Sequence, residues 1–349
     1  MERRRLGRSD IEVSAICLGS MNWGDQNTEA EGHAQIDLAL DHDVNFIDTA
    51  ELYTIPPIPE THGRSEEIIG SWLQTTKRRA DIILASKVVG RTEREWFRGG
   101  RPALLTRDQI NEAVDGSLTR LKTDYIDLYQ VHWPDREFSG FGGNPTVWKP
   151  AKRHEDETPI AETLEALTDL VKTGKVRALG LSNENPWGTM QYLHASETRS
   201  LARVHSIQNA YSLVNRTFET GLAEIAERED VGLLAYSPLA QGFLSGKYLD
   251  GQLPHGARRT LFNRQKRYEK PGSSKAYRAY GDLARSVGIT PCQLALAFVT
   301  SRPFVTSTII GATNLDQLRE NLSSISIEIT DEIEDRINDI HQVHCNPAP

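Results

Sequence analysis

The sequence predicts a (β/α)8 TIM barrel with an N-terminal hairpin and long loops on its C-terminal face. Eight apolar runs of strand length recur along the 349 residues, each separated from the next by a segment with helical spacing. Strands alternating with helices pair in parallel, because each crossover returns the chain to the same edge, and eight such units favour closure. The rival is an open doubly wound sheet, which announces a dinucleotide by G-x-G-x-x-G after its first strand. Here the first run ends Leu18-Gly19-Ser20-Met21, without that loop.

Taken in order, residues 3–13 read as a hairpin turning at Gly7-Arg8-Ser9-Asp10. The strand runs are 15–18, 45–47, 82–85, 126–131, 178–181, 206–207, 232–235 and 308–310. Helix starts are read from caps. Thr106 with Gln109 has capping-box spacing ahead of the stripe Ile110, Val114, Leu118 and Leu121. Thr158-Pro159 places a cap before a first-turn proline, and Gly174 ends that helix. Thr290-Pro291 with Gln293, Asn314 with Gln317, and Thr330 open three more. Segments 133–157 and 239–273 exceed the usual connection length, and both follow strands, on the face where barrel active sites sit. One domain over 1–349 is expected.

Composition narrows the function. A hydrophobic share of 38% with 25% charged residues is that of a folded globular chain, and a net charge of −8 argues against a nucleic-acid partner. The basic start Met1–Arg5 is broken by Gly7, Arg8, Asp10 and Glu12, so no export signal is read, and no apolar run nears the ~18 residues of a membrane span. Cys17, Cys292 and Cys345 are few and dispersed, as in a reducing compartment, and the cytoplasm is the expected location. His341, His344 and Cys345 are better explained by a solvated terminal helix than by a metal, and no metal site is predicted.

The chemistry is read from the ends of the strands. In Asn45-Phe46-Ile47-Asp48-Thr49-Ala50-Glu51-Leu52-Tyr53 a carboxylate interrupts a buried run and needs a cation, which Lys87 offers at the end of the next strand. Corresponding ends supply His132, Ser182-Asn183, Gln208, Tyr236 and Gly311-Ala312-Thr313. A single polar strand end is ordinary, since loops are solvated. A ring holding a carboxylate, a lysine, an imidazole and a nearby phenol suits carbonyl reduction. Tyr53 would be the proton donor, Lys87 would favour its phenolate, Asp48 would hold Lys87, and His132 would orient the substrate oxygen and share the proton. Trp23, Trp133 and Trp148 lie on predicted top-face loops and are read as walls of a substrate pocket, with core packing as the alternative.

These stretches, with Gln130-Val131-His132-Trp133, Gly180-Leu181-Ser182-Asn183, Tyr236-Ser237-Pro238-Leu239 and Ile310-Gly311-Ala312-Thr313, resemble the aldo-keto reductases, within them the bacterial Tas-like branch. Ser237–Tyr248 is also similar to the β subunits of voltage-gated potassium channels. The resemblance implies NADP(H) as cofactor, ahead of NAD(H), a small carbonyl substrate, and a tetrad of Asp48, Tyr53, Lys87 and His132. It implies that Gly19, Ser20, Met21 and Asp48 flank the nicotinamide ribose, that Ser182, Asn183 and Gln208 bind the carboxamide, and that Tyr236 stacks on the ring. Ser237, Leu239, Gly242 and Lys247 would follow the pyrophosphate, and Gly311, Thr313, Gln317, Glu320 and Asn321 the adenosine end. Many members carry an Arg where this chain has Gln317, so Arg258 or Arg259 is expected to read the 2′-phosphate instead. A reductase is the leading reading; an NADP-binding regulatory module of the channel-subunit kind is the alternative. Oligomeric state and physiological substrate are not encoded in these motifs.

Overall fold

The computed structural model describes residues 1–138, 144–262 and 266–349. An antiparallel pair, β1 (Arg3–Arg5) and β2 (Glu12–Ser14), precedes the alternation. Then follow β3 (Ile16–Gly19), α1 (Glu29–Asp41), β4 (Phe46–Asp48), α2 (Arg64–Thr76), β5 (Ile83–Val88), α3 (Arg107–Leu121), β6 (Ile126–Val131), α4 (Ile160–Lys172), β7 (Val176–Ser182), α5 (Pro186–Arg199), β8 (Val204–Ala210), α6 (Leu222–Glu229) and β9 (Gly232–Tyr236). The chain continues through α7 (Arg258–Phe262), α8 (Ser273–Ser286), α9 (Pro291–Thr300), β10 (Val305–Ile310), α10 (Leu315–Ser323) and α11 (Asp331–Val343). Strands β3 to β10 run parallel and close in the order β10-β3-β4-β5-β6-β7-β8-β9. The protein is a (β/α)8 barrel, with the hairpin and the eight strands where the sequence places them.

The two-residue period of a strand decides what the barrel contains. Phe46, Ala85, Leu128, Ala178 and Leu234 point inward and pack with Leu6, Ile11 and Val13, so the hairpin plugs the floor. Each of those three hairpin side chains is almost fully buried, which stabilises the fold by roughly 1.5–3 kcal/mol apiece. Their outward neighbours, such as Ile47, Leu84, Leu179 and Leu233, pack beneath the helices with Ile69, Trp72 and Leu167. Burial on both faces is why the strands read as near-continuous apolar runs. One period above the floor, on the same inner face, stand Asp48, Lys87, Gln130, Gly180 and Tyr236.

Three helix caps form as expected: Thr290 and Gln293 make a reciprocal box, Asn314 accepts from Gln317 N, and Thr330 accepts from Ile333 N. Two do not. Gln109 turns away from Thr106 to accept from Leu104 N (2.8 Å) and donate to Pro102 O (3.2 Å), tying down the segment ahead of α3. Thr158 is one residue too early, because Pro159 itself takes the cap position with ψ 141° and α4 begins at Ile160. Residues 139–143 of the first long loop and 263–265 of the second lie outside the described residues. The rest of the second loop is not structureless, since it carries α7 and several short 3-10 turns. Among the described residues no single helix is long and apolar enough to cross a membrane.

Candidate active site

Strand register brings the predicted tetrad to one point. Asp48 of β4 and Lys87 of β5 end adjacent strands, and Lys87 Nζ donates to Asp48 Oδ2 at 2.6 Å and to Thr49 O at 2.7 Å. Nζ lies 3.5 Å from Tyr53 Oη, the outer edge of hydrogen-bond reach. His132 follows β6, with its ring edge-on to Tyr53 at 5.7 Å between centroids. Its backbone is held on both sides, His132 N donating to Val88 O (2.8 Å) and Asn183 Nδ2 to His132 O (2.9 Å). His132 Nδ1 is buried with no partner among the described residues.

Burial and charge set the protonation states. Burial raises the Tyr53 hydroxyl above its ordinary value even though the Lys87 ammonium pulls the other way, so at neutral pH Tyr53 carries its proton. Burial also works against Lys87, but Asp48 and Tyr53 outweigh it and its pKa is raised. His132 is held well below its ordinary value, first by burial and then by Lys87. At neutral pH it is therefore a neutral imidazole, able to hydrogen-bond and orient an oxygen.

The remaining predicted residues divide. Ser20 Oγ donates to Asp48 O (2.9 Å), Ser182 Oγ donates to Gln208 O (2.8 Å), and Tyr236 Oη donates to Asn183 Oδ1 (2.7 Å), so these groups ring the tetrad. Gly19 lies in register with Asp48, and Met21 O accepts from Thr54 Oγ1 at 2.8 Å. Trp133 packs with Tyr53, Val89 and Phe97, and its Nε1 donates to Arg91 O at 2.9 Å. Trp23 is corrected: its side chain is fully buried among Ile36 and Ile68 and donates to Gln35 Oε1 at 3.1 Å, so it is core, not pocket wall. Trp148 is 79% exposed. Two cavities, of about 380 Å³ by α4 and α5 and about 690 Å³ by α8, lie away from the tetrad and are lined by none of it.

A model described as the aldo/keto reductase family matches residues 15–342. The chain belongs to the aldo/keto reductase family. Protein tas of Escherichia coli (strain K12) is 47% identical over 353 residues, covering the whole of both chains. The uncharacterized oxidoreductase YrpG of Bacillus subtilis is 32% identical over 97% of this chain and 96% of its own. A probable voltage-gated potassium channel subunit beta of Arabidopsis thaliana is 30% identical over 94% of this chain and 92% of its own.

The segments that follow β9 and β10 have features that fit a dinucleotide. After β9 the backbone enters the left-handed region at Ser237, Ala240, Gln241 and Gly242, and at Gly242 (φ 96°) an added Cβ would stand 2.8 Å from Lys247 Cε. No carboxylate among the described residues acts on Lys247. Close backbone beside an ammonium that no carboxylate engages is a cradle for phosphate. At α10, Gln317 Oε1 accepts from Thr313 N and Oγ1, both at 3.0 Å, while Asn321 Nδ2 donates to Gly311 O at 3.3 Å. Glu320 stands close enough to Cys292 to raise its thiol, after burial, to about 12. Leu239 is half-buried against the core.

Arg258 acts electrostatically on Lys247. Its guanidinium reaches Asn22 and feels Tyr53, while Arg259 is engaged by Glu269 at 2.5 Å and Arg319 by Asp316 at 2.9 Å. Two buried residues had no role in the sequence reading. Glu51, two positions before Tyr53, is clamped by both terminal nitrogens of Arg98 (2.7 and 2.9 Å) and by Val89 N (2.7 Å), which fixes the turn carrying Tyr53. Gln130 faces the tetrad from β6. Its signal was an amide in an apolar strand, two residues before His132 and so on the same face.

Proposed function

We propose that this chain reduces aldehydes or ketones to alcohols with NADP(H) as cofactor, as a single barrel domain working in the cytoplasm. The observation that carries the reading is the convergence of Tyr53, Lys87, Asp48 and His132 at the barrel mouth, with Lys87 between the carboxylate and the phenol. Bound NADPH supplies the hydride. Ser182, Asn183 and Gln208 would hold its carboxamide, Tyr236 its ring, and Lys247 with the Ser237–Gly242 backbone its phosphates.

The chain's own residues manage the proton. Neutral Tyr53 gives its hydroxyl proton to the carbonyl oxygen as the new C–H bond forms, and the Lys87 ammonium stabilises the phenolate left behind. Asp48 keeps that ammonium charged and in place. Neutral His132 hydrogen-bonds the substrate oxygen and aligns it with Tyr53. Trp133, packed against Tyr53, bounds the substrate.

The likeness to a channel subunit supports the alternative, a module whose NADP occupancy is a signal. NADPH consumption with a panel of small aldehydes and ketones separates the two. Steady turnover supports the reductase, and tight binding without turnover supports the module.

A further inference from the structure

Asp48 is an acceptor with two oxygens, and both are engaged. Oδ2 receives Lys87, while Oδ1 receives Gln208 Nε2 at 2.8 Å and Gln130 Nε2 at 3.3 Å. Gln208 Nε2 donates a second time, to Gln130 Oε1 at 3.3 Å. Both of its hydrogens are thereby spoken for, and the direction of the Gln208 amide follows from chemistry: turned over, it would set an oxygen against the oxygens of Asp48 and Gln130. Gln208 Oε1 receives no donor among the described residues.

Room for Gln130 is built into the neighbouring strand. Its register partner is Gly180, where an added Cβ would stand 3.0 Å from Gln130 Cγ. Gln130 is wholly buried, and a buried amide is retained at low cost only when its hydrogen bonds are made.

We infer that Gln130 is a positioning residue: by donating to Asp48 and accepting from Gln208 it holds Gln208 as a pure acceptor, so that this site selects a ligand presenting an N–H donor, such as a primary carboxamide. The inference rests on the proposed dinucleotide site. Without Gln130, the Gln208 N–H that faces it loses its acceptor and becomes available to a ligand carbonyl, while the other stays on Asp48.

The test is a binding titration, by protein fluorescence, of the full chain with NADPH and with its 3-acetylpyridine analogue, which keeps the carbonyl and replaces the NH2 by methyl. The parent is expected to bind the analogue about tenfold more weakly. In Gln130→Met, with Gln130→Leu in parallel should the first not fold, that ratio is expected to fall to within about threefold. A ratio unchanged in the variants overturns the role of Gln130. No discrimination by the parent overturns the acceptor orientation of Gln208, a result that needs no variant. If the parent binds neither dinucleotide, the proposed site fails and this inference with it.

Discussion

The Lys87 ammonium and the Asp48 carboxylate meet at 2.6 Å on adjacent strands, both shut away from solvent. Such a pair is weak evidence of stability, but removing one member leaves a buried charge alone. Lys87→Met is therefore expected to lower unfolding stability by roughly 3–5 kcal/mol as well as activity. Adding Asp48→Asn should return part of that stability without returning turnover. Urea denaturation of both variants checks this; a Lys87→Met protein that unfolds at the parent's midpoint would show that the pairing is not what the geometry indicates.

His205 gives a pH prediction with a definite sign. Burial, with Arg203 beside it, lowers its pKa to about 4, against ~6.5 in an unfolded chain. Between those values the unfolded chain takes up a proton that the folded one refuses, so His205 costs no stability above pH ~6.5 and costs progressively more as pH falls toward 4. His205→Gln should lose less stability than the parent over that window, read as the difference between their melting temperatures at matched pH. Identical pH dependence would count against it.

Arg258 changes the expectation for cofactor choice. Read from sequence it is a candidate for the 2′-phosphate; its guanidinium bonds Asn22 and lies within electrostatic reach of Tyr53 and of Lys247, a group proposed for the phosphates that both cofactors share. Arg258→Ala is accordingly expected to weaken NADPH and NADH alike, by about tenfold or more for a lost charge-assisted hydrogen bond. Loss confined to NADPH would return Arg258 to the 2′-phosphate.

For the loop after β6, Trp133 and Trp148 should behave differently. Trp133 packs on Tyr53, so Trp133→Ala is expected to change KM for bulky and small carbonyls by different factors. Trp148→Ala, at an exposed position, should change neither. A uniform shift for Trp133→Ala would remove it from the pocket.

The barrel was legible because its strands are buried on both faces, which forces apolar runs, and because polar groups at their ends stand out against them. The tetrad followed from one unpaired carboxylate, Asp48, and the cation it needs. Trp23 was misplaced because a large aromatic on a loop looks the same whether it faces a pocket or folds back under α1. Thr106 is the cap residue of α3 but its box with Gln109 does not form, and at Thr158 the next residue, Pro159, takes the cap position: spacing reports an available hydrogen bond, not which local partner takes it. Gln109 went to Leu104 instead. Gln130 escaped because its role depends on Gly180 and Gln208, two strands that sequence spacing cannot bring together.

The measurement closest to the central claim is single-turnover reduction of a small aldehyde by Tyr53→Phe beside the parent, with the NADPH dissociation constant taken on the same samples. The proton is given only in the chemical step, so the hydroxyl's loss should cut the hydride-transfer rate by roughly 10²–10⁴-fold, the range for a general acid, while NADPH binding stays within about twofold. A Tyr53→Phe protein that reduces the aldehyde at the parent's rate would contradict Tyr53 as the proton donor and the reading of the site built on it.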